Sequence, residues 1–448
     1  MTPVRSSSGP RVAVVTSEWG SNSEEHFVTR SVAAAAAYGG KSLALVLHHQ
    51  QPTFVTSMNQ PNYDGFFEVI HLNGGSFVDA ATHSLLAKAL AYSIRNRPQL
   101  KLANNHREHP SGLPLDHGMP HLHLYRPNTP FASPPTELVD NLFVHLYSRI
   151  SLSLYHYLKE FQPTTTLIAG VHLSYLFGLN SIMRSLESTS ILLPLVHGES
   201  FPEGVWYKKV FDRYDALLTA TEMEYKLISP FASSNVFNIG MNIPVNQSAK
   251  NEPPPELGGL GKSIPRNQQE GYGNYLLFIL TEAESIQANP SKLSEAGYLT
   301  VYTSAHLPDL PIVAVAGNRA FTLLYGKVVA ERKFFGRMDL WRLMAYAKAT
   351  VDTRKDLLLG REVLESMSYG VPVVVNRLSA AYQHAKTSGG GLWYSTLEEL
   401  ARCIDILRND DSARSLGHKA RDYVTKSYGS ADNFIKQVQY LTSSKSST

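Results

Sequence analysis

A short β-branched run at residues 11–16 (RVAVVT) is followed by a Ser-, Gly- and Asn-rich loop over 17–23, then by a helical segment that stops at Gly39 and Gly40. A second apolar run, 42–48 (SLALVLH), comes next. This order narrows the possible folds more than any other feature. Apolar runs of strand length alternating with helices of roughly 10–15 residues mark a parallel sheet covered on both faces. Local signals agree: Ser23 is placed to cap the helix, Glu24 and Glu25 fall in its positive first turn, and Gly39 suits a left-handed C-cap.

Between 50 and 135 the pattern weakens, with a strand expected at 67–71 and a helix at 79–94 before a Pro- and His-rich stretch. It resumes with helices at 135–161 and 173–185 and strands at 165–170, 191–196 and 216–220, so five or six parallel strands fit this half. Residues 248–273 are crowded with Pro, Gly, Asn and Gln and carry no periodicity, as linkers do. A second series then runs through YLLFIL, PIVAVAG and KVVAERKFFG, a helix at 339–347, a strand at 349–352, a helix at 362–368, a strand at 371–375, and helices at 396–407 and 411–427. The expected class is α/β: two Rossmann-like doubly wound parallel-sheet domains, over 1–247 and 274–430, with a linker at 248–273 and a C-terminal helix and tail at 431–448.

Composition excludes several other classes. With 448 residues, 43% hydrophobic and 18% charged, the chain can fill a core in each half. The 41 Lys and Arg against 38 Asp and Glu leave +3 and a pI near 8.6, too mild for a nucleic-acid partner. Cys403, the single cysteine, excludes an internal disulfide and fits a reducing compartment. No stretch approaches the ~20 apolar residues of a membrane helix, and the polar first ten residues lack an apolar signal core. The expected location is cytoplasmic, or peripheral to a membrane.

In open α/β sheets ligands bind beyond the carboxyl ends of the strands, so the residues just after each strand are the informative ones. They are the loop 17–23, His197 after ILLPLV, and the loop 353–360 before the helix of Glu362 and Glu365. The last two lie three apart, on one helical face. They are either solvated acids complementing a helix dipole, or a site in which Glu365 accepts from a ribose while the N–H groups of Leu359, Gly360 and Arg361 face a diphosphate. Five histidines between 104 and 123 raise the question of a metal, but Pro110, Pro114 and Pro120 break any helix that could present them together, and a surface loop is expected. GNRAF at 317–321 lacks the remaining glycines and the lysine of a phosphate loop and reads as a plain strand exit.

From 327 to 440 the segments FFGRMDLWRLMAYAKATVDT, GREVLESMSYGVPVVV, GGGLWY and GHKARDYVTKSYG follow in an order that resembles the C-terminal half of GT-B glycosyltransferases, particularly the retaining group called family four. RVAVVT with its loop, GVHLSYL, LLPLVHGE, DALLTATEMEYKLI and FNIGMNIPV are similar, more loosely, to the N-terminal half. The resemblance implies transfer of a sugar, with retention, from a nucleotide-diphosphate sugar to a glycan, lipid, protein or small-molecule acceptor, with neither cofactor nor metal. It implies that Glu365 contacts the donor ribose, that His197 approaches the reaction centre, and that Gly20, Ser21 and His172 lie on the acceptor side.

Two departures stand out. The family's paired glutamates enclose seven residues, and the first falls on Leu357, which leaves neighbouring Asp356 as the candidate carboxylate. The Arg and Lys that usually neutralise the departing diphosphate are replaced by Thr281, Glu282 and Glu284, with Lys292 displaced. Charged hydrogen bonds contribute about 1.5–3 kcal/mol each, so Arg354, Lys355 and Arg361, beside the phosphate loop, are the candidates to supply the charge. The same departures support a second reading: a GT-B protein without donor chemistry that binds or stabilises a partner glycosyltransferase subunit or its acceptor.

Overall fold

The computed structural model describes residues 9–16, 19, 23–48, 61–64, 67–73, 152–170, 173–195, 210–232, 235–243, 247–251, 275–280, 295–307, 310–333, 336–355 and 358–443. The first series contains β1 (Arg11–Thr16), α1 (Glu24–Ala36), β2 (Lys41–His48), β3 (Pro61–Asp64), β4 (Phe67–Asn73), α2 (Leu152–Phe161), β5 (Thr165–Ala169), α3 (Leu173–Ser185), β6 (Thr189–Leu193), β7 (Ala216–Thr219), α4 (Glu222–Ile228) and β8 (Val236–Asn238). These strands form one eight-stranded sheet in the order β3-β4-β2-β1-β5-β6-β7-β8. All neighbours are parallel except β3 against β4, so the sheet is larger than the expected five or six strands and has one antiparallel edge. β1 lies at its centre, with Val12 opposite Ser42 on one side and Thr165 on the other. Buried on both faces, β1 reads as a continuous apolar run rather than an alternating one.

The second series contains β9 (Leu276–Leu280), α5 (Glu295–His306), β10 (Ile312–Ala316), β11 (Arg319–Leu324), β12 (Lys327–Arg332), α6 (Arg337–Tyr346), β13 (Ala349–Asp352), α7 (Arg361–Ser368), β14 (Val373–Asn376), α8 (Ala381–Ser388), β15 (Gly391–Tyr394), α9 (Leu397–Arg408), α10 (Asp410–Tyr428) and α11 (Ala431–Ser443). Its sheet runs β12-β11-β10-β9-β13-β14-β15. The GNRAF segment is not a strand exit: Gly317 and Asn318 join β10 to β11 as an antiparallel hairpin, and Tyr325 and Gly326, both at positive φ, turn β11 into β12. The remaining strands pair in parallel around β9. The glycine triplet after α8 serves packing. Gly389 ends the helix at φ +60, and a Cβ on Gly390 would lie 2.2 Å from the backbone nitrogen of Ala420 in α10.

Two features join the halves. Val12 and Val14 of β1, Val28 and Val32 of α1, and Leu358, Leu359 and Val363 around α7 belong to one buried apolar cluster. The helix α11, which ends the second series, packs against the first series: Thr165 Oγ donates to the Thr442 carbonyl (3.3 Å) and Gln439 Nε2 to the Tyr38 carbonyl (3.1 Å). Among the described residues no helix is long and apolar enough to cross a membrane.

Candidate functional site

One strand–loop–helix unit from each sheet builds the site. On the first side, the Ser23 hydroxyl accepts from the His26 N–H (3.2 Å) and starts α1 just beyond the β1 loop. Glu24 and Phe27 are three apart and share a helical face, which turns toward the second sheet. On the second side, β13 ends at Asp352 and the chain climbs to α7 through Leu358, Leu359 and Gly360.

Gly360 stands at the N-cap of α7 with φ +71, where glycine avoids the clash of a Cβ with backbone, and a Cβ there would also lie 3.0 Å from Ala381 Cβ. Lacking a side chain, it cannot cap the helix. The cap comes from the other sheet. Glu24 Oε2 accepts from the N–H groups of Leu358 (2.8 Å) and Leu359 (3.0 Å), and Oε1 accepts from the N–H of Arg361 (2.6 Å). Three backbone amides at a helix amino end thus converge on one carboxylate, the arrangement that suits any anion. Withdrawal from water pushes the Glu24 carboxyl up and nearby Glu362 pushes it further, against Arg354 and the amide hydrogen bonds. The ring of Phe27 lies under the Arg361 guanidinium, 3.8 Å from its central carbon.

His384 of α8 fixes this loop from behind. Its Nε2 lies 2.8 Å from the Leu359 carbonyl, so Nε2 carries the proton, and Nδ1 faces the Tyr423 hydroxyl at 3.0 Å. Burial lowers the imidazole to about 4, against the weaker raising effect of the Leu359 carbonyl, and the ring is neutral at pH 7.

Beneath the amides is a tightly paired set of charges. Arg354 donates to both oxygens of Asp352 (2.9 and 2.6 Å) and to Glu362 Oε2 (2.8 Å). Arg337 bridges Glu362 Oε1 (2.7 Å) and Glu365 Oε2, and Arg361 Nε donates to Glu365 Oε1 (2.9 Å). Glu365 is 1% exposed and Glu362 7%, which removes the reading of two solvated acids. Burial alone would raise the Glu362 carboxyl, but Arg354 and Arg337 hold it well below the usual carboxylate range. The Arg337 guanidinium is correspondingly raised: burial opposes its charge, and Glu365 and Glu362 outweigh burial.

The structure therefore brings together Arg354, Leu359, Gly360, Arg361, Glu362 and Glu365. It differs from expectation in how they are used. The amides aimed at the anion position are those of Leu358, Leu359 and Arg361, whereas the guanidinium groups of Arg354 and Arg361 are turned to carboxylates. Lys355 points away, to Glu295 at 2.6 Å on the surface. His197, Asp356, Gly20, Ser21 and His172 lie outside the described residues, as do the segment 281–294 and the histidine-rich stretch 104–123. Sequence reasoning gave Glu24 only a role at its own helix, and none to Phe27, Arg337 or His384. Arg337 sits in the motif FFGRMDLW, but no spacing rule ties it to carboxylates 25 and 28 positions on.

No protein-family model matches the chain, and no curated protein matches it by sequence. Solved structures do match in shape. Sucrose-phosphate synthase from Thermosynechococcus elongatus superposes with a TM-score of 0.57 at 10% identity, over 98% of this chain and 99% of the other. An α,α-trehalose-phosphate synthase (UDP-forming) from Burkholderia vietnamiensis gives 0.54 at 11% identity, over 98% and 100%. Anabaena HepE in complex with UDP-glucose gives 0.54 at 12% identity, over 97% and 100%. The chain thus has the GT-B fold, two Rossmann-like layers whose strand ends face each other.

Proposed function

We propose that the protein is a glycosyltransferase that moves a sugar from a nucleoside diphosphate sugar to an acceptor hydroxyl, with retention of anomeric configuration. The bond from the sugar to the diphosphate breaks, a bond to the acceptor oxygen forms, and the acceptor proton leaves with the diphosphate or to solvent. The observation that carries this reading is the convergence of the Leu358, Leu359 and Arg361 amides on one anion position at the start of α7, with Glu365 one turn further along. Fixed amides aimed at a departing diphosphate stabilise charge as it develops, without reorganisation. UDP-glucose in the similarly folded HepE supports a nucleotide sugar as the donor class.

Isothermal titration with UDP-, GDP- and dTDP-sugars tests the proposal, with Glu365→Gln alongside. One donor should bind, and that variant, with thermal melting used to verify folding, should weaken the nucleotide sugar about tenfold or more, because the Glu365 carboxylate holds Arg337 and Arg361 beneath the amide loop. Absence of binding by every donor at millimolar concentration would rule the reading out.

A further inference from the structure

The anion position at α7 is already filled, and by the protein itself. Glu24 belongs to α1 of the first sheet, and the amides that hold it belong to a loop more than three hundred residues later. The carboxylate accepts three N–H bonds, which is how an oxyanion of a phosphate would be held there. The charges below it offer no alternative seat. Arg337, Arg354 and Arg361 are matched to Asp352, Glu362 and Glu365, and with Glu24 counted the cluster holds four carboxylates against three guanidinium groups. A diphosphate approaching while Glu24 remains seated meets net negative charge and no free amide among Leu358, Leu359 and Arg361. With Glu24 withdrawn, three acids face three bases and the three amides are free.

We propose that Glu24 is an internal stand-in for the ligand's phosphate: a diphosphate binds by displacing it, and that exchange releases α1 from α7 and so couples ligand entry to relative movement of the two sheets. The proposal rests on the glycosyltransferase reading for the identity of the ligand, but not for the exchange. Phe27, on the same face of α1, keeps its stacking on Arg361 only while the latch is shut. Its contact is broken together with that of Glu24, which makes the release a single event.

The test is titration of inorganic pyrophosphate and of UDP-glucose into the full chain and into Glu24→Ala and Glu24→Gln, with small-angle scattering of each protein before and after ligand. Both variants should bind pyrophosphate at least tenfold more tightly than the wild type, and ligand-free Glu24→Ala should have the larger radius of gyration. Should Glu24→Ala fail to fold, Glu24→Asp is the second probe: one methylene shorter, it cannot span the three amides and should also bind pyrophosphate more tightly. Equal or weaker pyrophosphate binding in the folded variants overturns the latch. The two readings fail separately. Tighter pyrophosphate without any nucleotide-sugar binding keeps the latch and removes glycosyl transfer, whereas UDP-glucose binding with the same affinity in wild type and variants keeps glycosyl transfer and removes the latch.

Discussion

The Arg361 guanidinium rests on the Phe27 ring at 3.8 Å while its Nε donates to Glu365 at 2.9 Å, so one side chain joins a helix of the first sheet to the carboxylate below the site. Cation–π contacts contribute about 0.5–2 kcal/mol depending on desolvation. Phe27→Leu keeps most of the apolar volume and loses the ring. A double-mutant cycle of Phe27→Leu with Arg361→Gln in urea unfolding should return a coupling energy of about 0.5–1.5 kcal/mol, and zero coupling would show that the stacking is idle.

Arg354 and Lys355 are adjacent in sequence but should differ sharply on substitution. Arg354 is held between Asp352 and Glu362, and Arg354→Met strands two buried carboxylates, which costs about 3–5 kcal/mol. Lys355 meets Glu295 in an exposed pair, and such pairs contribute about 0–1 kcal/mol. Denaturant unfolding should therefore leave Lys355→Met within experimental error of wild type, and a similar loss in both variants would contradict the burial pattern.

His384 predicts a pH dependence. The buried ring titrates near 4 in the folded protein against an ordinary 6.5, so between those values the unfolded chain binds a proton that the folded chain does not. Stability from this group is complete above pH 6.5 and falls away as pH drops toward 4, by about 3 kcal/mol in all. Urea midpoints from pH 7.5 to 4.5 should decline less steeply in His384→Gln than in wild type. Parallel curves would mean that the ring is charged or solvated.

Two glycines should rank in a definite order. A Cβ at Gly390 meets the Ala420 backbone nitrogen at 2.2 Å, and backbone cannot swing aside. At Gly360 the nearest atom is Ala381 Cβ at 3.0 Å, and the cost is mainly the left-handed backbone, about 1–2 kcal/mol. Thermal unfolding should place Gly390→Ala below Gly360→Ala, with both below wild type.

Where the chain's signals were local, they were legible. Ser23 as a cap, Gly39 in the left-handed region, and β13 at 349–352 all follow from side-chain chemistry within a few residues. The antiparallel turn of β10 into β11 was missed because the apolar run PIVAVAG is equally compatible with a parallel strand, and only the partner decides. The edge strand β3 was missed because Pro61–Asp64 has little strand propensity of its own and is held by pairing with β4. At the site, the helix start that carries Glu362 and Glu365 was legible from the glycine before it, but the reach of Glu24 was not. A glutamate in a first turn is satisfied on paper by its own helix, and nothing in spacing announces that its carboxylate crosses to amides 334 to 337 positions away.

The return of α11 to the first sheet sets a schedule for biosynthesis. Chains emerge from the ribosome amino end first and domains usually fold as they appear. Here the apolar seam of β5 and α1, where Phe434 and Val438 of α11 join the same buried cluster as Leu167, Val28 and Val32, closes only after α11 has been translated. The half made first thus waits on a helix made after both sheets. Premature termination within α11 leaves that apolar seam open to chaperones and to other nascent chains, even though every residue of both sheets has been made.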